Sequence, residues 1–171
     1  MSTKNLSQEE IIILQKYKDI FNEINVEIKN FNLLLAEEFR VASLNIPNYE
    51  SCAVFKKGVA WLHQECLPHR LHPGVYIICG YHQNNPSSYG AYIGKSSVNE
   101  NISSRLSARL KLHNEAGFYH YTDKKGEPYI YEAVVVIGLQ NESMRALAPA
   151  LEEFIIANVK KRIHLLNIIG N

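Results

Sequence analysis

Residues 72–94 contain no Lys, Arg, Asp or Glu, and two apolar bursts there, "GVYIICG" and "YGAYIGK", flank the polar linker "YHQNNPSS". Each burst mixes β-branched and aromatic residues over one strand length, while the linker is rich in Asn, Pro and Ser, the residues of turns. The pattern predicts two antiparallel strands. Side chains alternate between the faces of a strand, so Tyr76 and Tyr92 can share one face if the register allows.

The rest of the chain supplies cover for such a hairpin. Residues 6–40 read as helix, opened by "SQEE", in which Ser7 caps and Glu10 closes a capping box. From there Leu14, Tyr17, Phe21, Ile24, Ile28, Phe31 and Leu35 follow 3,4 spacing and form one helical stripe. Such a stripe packs either on its own domain, with a break near "KNFN", or against a second chain as a dimerising coiled coil. A shorter helix is expected over residues 52–65, ending at the prolines of "LPHRLHPG". After the hairpin, "ISSRLSARLKLH" has helical character, with Arg105, Arg109 and His113 on one face. "TDKKGEP" reads as a loop and "YIYEAVVVIG" as a third strand. Residues 143–167 read as a closing helix in which Pro149 marks a kink or a restart. The order predicts an α+β fold: a small three-stranded antiparallel sheet flanked by helices, with an N-terminal helical arm over 1–71 and the second unit over 72–171.

With 171 residues, 46% of them hydrophobic, the chain can bury a core. It shows no basic-then-apolar leader and no apolar run of membrane-spanning length, so a soluble, cytoplasmic protein with no membrane partner is expected. Three cysteines without framework spacing agree with a reducing compartment. The net charge of +1 hides a mild segregation, since 1–71 hold 8 basic and 9 acidic residues and 95–171 hold 10 and 8.

"YIGKSS" ends like a phosphate-binding loop but lacks its opening glycine, because Tyr89 stands five residues before Gly94. His63, Cys66, His69 and His72 recur every three residues, yet zinc sites pair their ligands across a fold-sized gap, and ordinary polar residues are the simpler reading. The hairpin is different because partners accompany it. "GVY", "YIGKS", "RLKLHN", "LEEFII" and "LLN", in that order over about residues 72–168, resemble the GIY-YIG nuclease family. The positions matching that family's site are Tyr76, Tyr92, Gly94, Arg109, His113, Glu152 and Asn167, with Lys95 directly after the second motif. Two departures stand out: the stretches between the tyrosines and between Gly94 and Arg109 are both longer than in the minimal pattern. Arg105 competes with Arg109, and Glu153 with Glu152.

The resemblance implies a Mg²⁺- or Mn²⁺-dependent DNA endonuclease, of restriction type or from repair or mobile elements, with a homodimer as a further possibility. A catalytically silent nucleic-acid-binding or dimerisation module that keeps the fold is the alternative. In the family's terms, Glu152 holds the metal and Arg109 offers a planar, permanently charged fork to the phosphate. A phenol has an ordinary pKa of about 10, but neighbouring cations favour its ionised form, so Tyr76 serves as general base. Tyr92 and His113 then orient or relay the proton, and Gly74 and Gly94 leave room for the substrate backbone. On this reading Arg109→Lys keeps the charge but loses the bidentate fork, and cleavage should slow by roughly 10²-fold or more. Single-turnover assays of Arg109→Lys beside Arg105→Lys check it; damage confined to the second variant moves the site one helical turn.

Overall fold

The first apolar burst has no face left for water: every residue from Gly74 to Gly80 is buried. Both sides of that strand therefore need cover. The computed structural model describes residues 6–45, 48–56, 71–96, 101–109, 119–123, 125–139 and 141–167, with the backbone alone at 107–109, 119–122 and 142. Its strands are β1 (Cys52–Val54), β2 (Gly74–His82), β3 (Asn85–Ser96), β4 (Tyr119–Thr122) and β5 (Pro128–Gly138). Its helices are α1 (Gln8–Lys16), α2 (Lys18–Asn32), α3 (Ile102–Arg109) and α4 (Leu147–Val159).

The fold is α+β, and every described strand pair is antiparallel. The sheet runs β1-β5-β2-β3, and β4 joins β1 along the outer edge of β5, so the sheet is four strands wide. The three expected strands are β2, β3 and β5; β1 and β4 are additions. Strand β1 lies where the sequence suggested a helix from residue 52. Its three residues pair with Val135, Val134 and Ala133, so an available sheet edge decides their conformation over local preference. Residues 57–65 of that expected helix lie outside the described residues.

One face of the sheet presents Val75, Ile77, Cys79, Ala91, Ile93, Val135 and Ile137, in one hydrophobic cluster with α1, α2 and α4. The other presents Tyr76, Ile78, Tyr92, Val134 and Val136 with Ile102 and Leu106 of α3. The aliphatic stripe of the N-terminal helices belongs to the first cluster. Leu14, Tyr17, Phe21, Ile24 and Ile28 are fully buried and Phe31 nearly so, each worth roughly 1.5–3 kcal/mol of burial. That settles the stripe as intramolecular core, so it is not the seam of a coiled-coil dimer.

The single helix expected over 6–40 is two. The capping box forms as read, with Ser7 N–H donating to Glu10 and Glu10 N–H to Ser7 Oγ. The helix then breaks at Tyr17 and ends at Asn32, inside "KNFN". The break places Lys16 and Tyr17 over Glu132, with the Tyr17 hydroxyl donating to its carboxylate at 2.6 Å and Lys16 Nζ at 3.2 Å. Glu132 is the extra residue of a β-bulge, since Cys79 pairs with Ala133 and Gly80 with Tyr131. A bulge re-aims a side chain, and this one delivers a carboxylate to the helix junction. The closing helix is also shorter than expected. Pro149 sits in its first turn, and the chain leaves it after Val159, so the terminal "LLN" is extended. No helix among the described residues is long and apolar enough to cross a membrane.

Burial, and then the hydrogen bond to Glu132, pushes the Tyr17 phenol well above its ordinary value. The unfolded chain gives up this proton near pH ~10 while the native state keeps it, so above that point the unfolded state binds fewer protons. Tyr17 therefore contributes stability below about pH 10 and loses it as pH rises further, by about 1.4 kcal/mol per pH unit. Urea unfolding of wild type and Tyr17→Phe between pH 8 and 11 (roughly the phenol range) should show the wild-type stability falling more steeply by about that slope.

Candidate functional site

Strands β2 and β3 pair with Tyr76 opposite Gly94 and Ile78 opposite Tyr92. The two tyrosines are thus diagonal neighbours on the α3 face, with stacked rings whose centroids are 6.4 Å apart at 26°. Both are buried, Tyr76 to 1% exposure. The Tyr76 ring lies flat on Gly94: a Cβ there would come within 2.5 Å of its Cζ and hydroxyl oxygen. Gly74 is tight for another reason, since a Cβ would meet the Ile137 carbonyl oxygen at 2.1 Å. The room expected at these glycines for a substrate backbone is filled by the protein itself: the first motif's tyrosine needs the second motif's glycine as its floor.

Lys95 points the other way. It is in register with Val75, on the α4 face, and its ammonium lies 3.2 Å from Glu152 Oε2. Glu152 is half-buried, one helical position beyond buried Leu151, while neighbouring Glu153 is exposed. Strand alternation therefore divides the predicted residues between the faces, with Tyr76 and Tyr92 on one side and Lys95 and Glu152 on the other. The two groups meet only at the end of β3, where Gly94 and Lys95 are adjacent.

Asn167 reaches the same strand from its edge. Its Oδ1 accepts from Ile93 N at 2.8 Å and its Nδ2 donates to the Ile93 carbonyl at 2.5 Å. The carboxamide replaces one residue of a neighbouring strand. Just before it, His164 O accepts from Ala91 N at 2.9 Å and Leu166 N donates to Ala91 O at 2.8 Å. Segment 164–167 thus covers the outer edge of β3 up to Ile93, next to Gly94, and Tyr129 stacks on His164 with centroids 5.6 Å apart.

Arg109 ends α3 and its side chain is not described; His113 lies outside the described residues. Arg105 is exposed on α3, one turn earlier. Of the His/Cys series, His63, Cys66 and His69 also lie outside. Among the described residues, no group of three or more His, Cys, Asp or Glu is placed to hold a metal. Mg²⁺, a hard ion, keeps several waters and takes only one or two carboxylates, and at half-buried Glu152 it would compete with the Lys95 ammonium. Sequence reasoning missed Arg162, Glu27 and the bulged Glu132, whose partners are distant in sequence and whose own neighbourhoods read as solvated helix or plain strand.

No family model matches this chain, and no curated protein or solved structure matches it significantly.

Gly94→Ala should force the Tyr76 ring off its floor, costing roughly 1–3 kcal/mol as an overpacked core site does. Denaturant midpoints together with tyrosine ring NMR shifts check it. Unchanged stability and an unchanged Tyr76 environment would show that the ring has slack.

Proposed function

We propose that the protein is a GIY-YIG-type, metal-dependent endonuclease that hydrolyses DNA phosphodiester bonds, of the kind found in restriction. One observation carries the reading: five of the motif positions converge on residues 92–95, with Tyr76 stacked on Tyr92 and seated on Gly94, Lys95 paired with Glu152, and Asn167 clasping Ile93. A packed sheet needs no such conjunction of a phenol pair, a half-buried carboxylate with a lysine, and an edge carboxamide.

The division between the faces suggests where the scissile phosphate sits. It would lie across the end of β3, where the phenols approach from the α3 side and the charged pair from the α4 side. There Tyr76, as the phenolate, takes the proton of the attacking water, Tyr92 fixes the Tyr76 ring, and Arg109, the last residue of α3, neutralises the equatorial oxygens. Lys95 holds a non-bridging oxygen once it is released from Glu152. Glu152 would hold Mg²⁺ or Mn²⁺, which when bound supplies charge neutralisation at the phosphate and the leaving oxygen. His113 orients the water or relays the proton, and Asn167 keeps strand β3 in register beneath the reaction.

Incubation with supercoiled plasmid and Mg²⁺ or Mn²⁺ should give discrete linear fragments. Glu152→Gln should cut slower by on the order of 10²–10³-fold while still binding DNA. Full activity of Glu152→Gln removes this carboxylate from the site, and loss only in Glu153→Gln transfers its role to the neighbour. A wild type that retards the plasmid without cutting it would instead mark a binding module.

A further inference from the structure

We propose that α2, outside the stretch that carries the nuclease resemblance, is a positioning element for strand β3 and that Arg162 is the pin through which it acts. Helices α2 and α4 run antiparallel: Phe31 packs on Phe154 with centroids 5.3 Å apart, and one to two turns earlier on α2, Glu27 and Glu23 meet Arg162, just past the end of α4. The Arg162 guanidinium forms an ion pair with Glu23 Oε2 at 2.8 Å, and it donates hydrogen bonds to Glu27 Oε1 in a closer contact and to the Asn158 carbonyl at 3.3 Å. Glu27 is almost wholly buried, and its second oxygen accepts from Asn30 Nδ2 at 3.2 Å. Glu27 is buried but Arg162 keeps 39% of its side chain exposed, and an ion pair open to water on one side adds little stability. What this one adds is a fixed position.

That position sets a register. The turn after α4 closes with Arg162 N and Ile163 N both donating to Val159 O, and the chain then lies along β3 from His164. With Arg162 held by α2, the residue that arrives opposite Ile93 is Asn167, whose carboxamide satisfies both backbone groups of Ile93. A slip of one residue would bring Leu166 there, which has no side-chain donor or acceptor. The N-terminal helices are thereby tied to the residue preceding Gly94, on which the Tyr76 ring rests. The Arg162 contacts and the hold of Asn167 on Ile93 are the observed basis of the pin, and its catalytic consequence rests on the nuclease reading.

The test is the double variant Glu27→Leu/Arg162→Met, which removes both charges and keeps the volume. It should remain folded by circular dichroism. Exchange at the Ile93 amide should accelerate about tenfold or more relative to Ile77 in the central strand, because the segment opens locally. The Asn167 side-chain amide resonances should lose their dispersion, and kcat for DNA cleavage should fall about tenfold with KM unchanged. Arg162→Lys, which keeps the charge, should restore most of the Ile93 protection. Wild-type exchange at Ile93 and unaltered Asn167 resonances in the folded double variant would overturn the pin. If the double variant fails to fold, the single change Arg162→Gln, which removes the charge, decides: a loss of protection at Ile93 but not at Ile77 supports the pin, and equal change at both, or none, overturns it. A wild type that never cuts DNA would remove the nuclease reading and leave the exchange result standing.

Discussion

Everything in this structure answers to the burial of β2 on both faces. A central strand without charge can satisfy its backbone only through neighbours on both edges, and its side chains only through cover above and below. Strands β3 and β5 supply the edges. The two N-terminal helices and α4 cover one face, and α3 contributes to covering the other. The charges that approach this strand do so at its margins: Glu132 through a bulge next to Gly80, and Lys95 at the far end of the neighbouring strand.

Local signals read well. The Ser7 and Glu10 box lies within one turn of chain, the two bursts and "YIYEAVVVIG" declare themselves as strands, and Pro149 marks a first helical turn. What escaped the sequence is non-local. Residues 52–54 become a strand where β5 has a free edge, and the helix breaks at Tyr17, whose hydroxyl donates to Glu132 more than a hundred residues away. The end of α4 was hidden too, since residues 160–163 turn out of the helix and 164–167 lie on β3.

For the candidate site, the sequence named residues without the geometry that groups them. The alternation of β3 was legible in principle and places Tyr92 and Lys95 on opposite faces, a fact that a motif written as a string conceals. The glycines were read as space for a ligand, but a tyrosine ring occupies the place at Gly94 and the Ile137 carbonyl the place at Gly74. Glu152 and Glu153 look alike in sequence; packing against the sheet turns one toward Lys95 and leaves the other in water.

Segment 164–167 has a consequence for solubility as well as for the site. Strand β3 is the last in its direction across the sheet, and an uncovered row of backbone donors and acceptors there is a template on which a second molecule can add a strand. By filling the positions beside Ala91 and Ile93 with a short parallel stretch and a carboxamide, the chain blocks strand addition at its own most apolar margin. On the opposite margin, β1 and β4 are only three and four residues long, too short to recruit an extended partner.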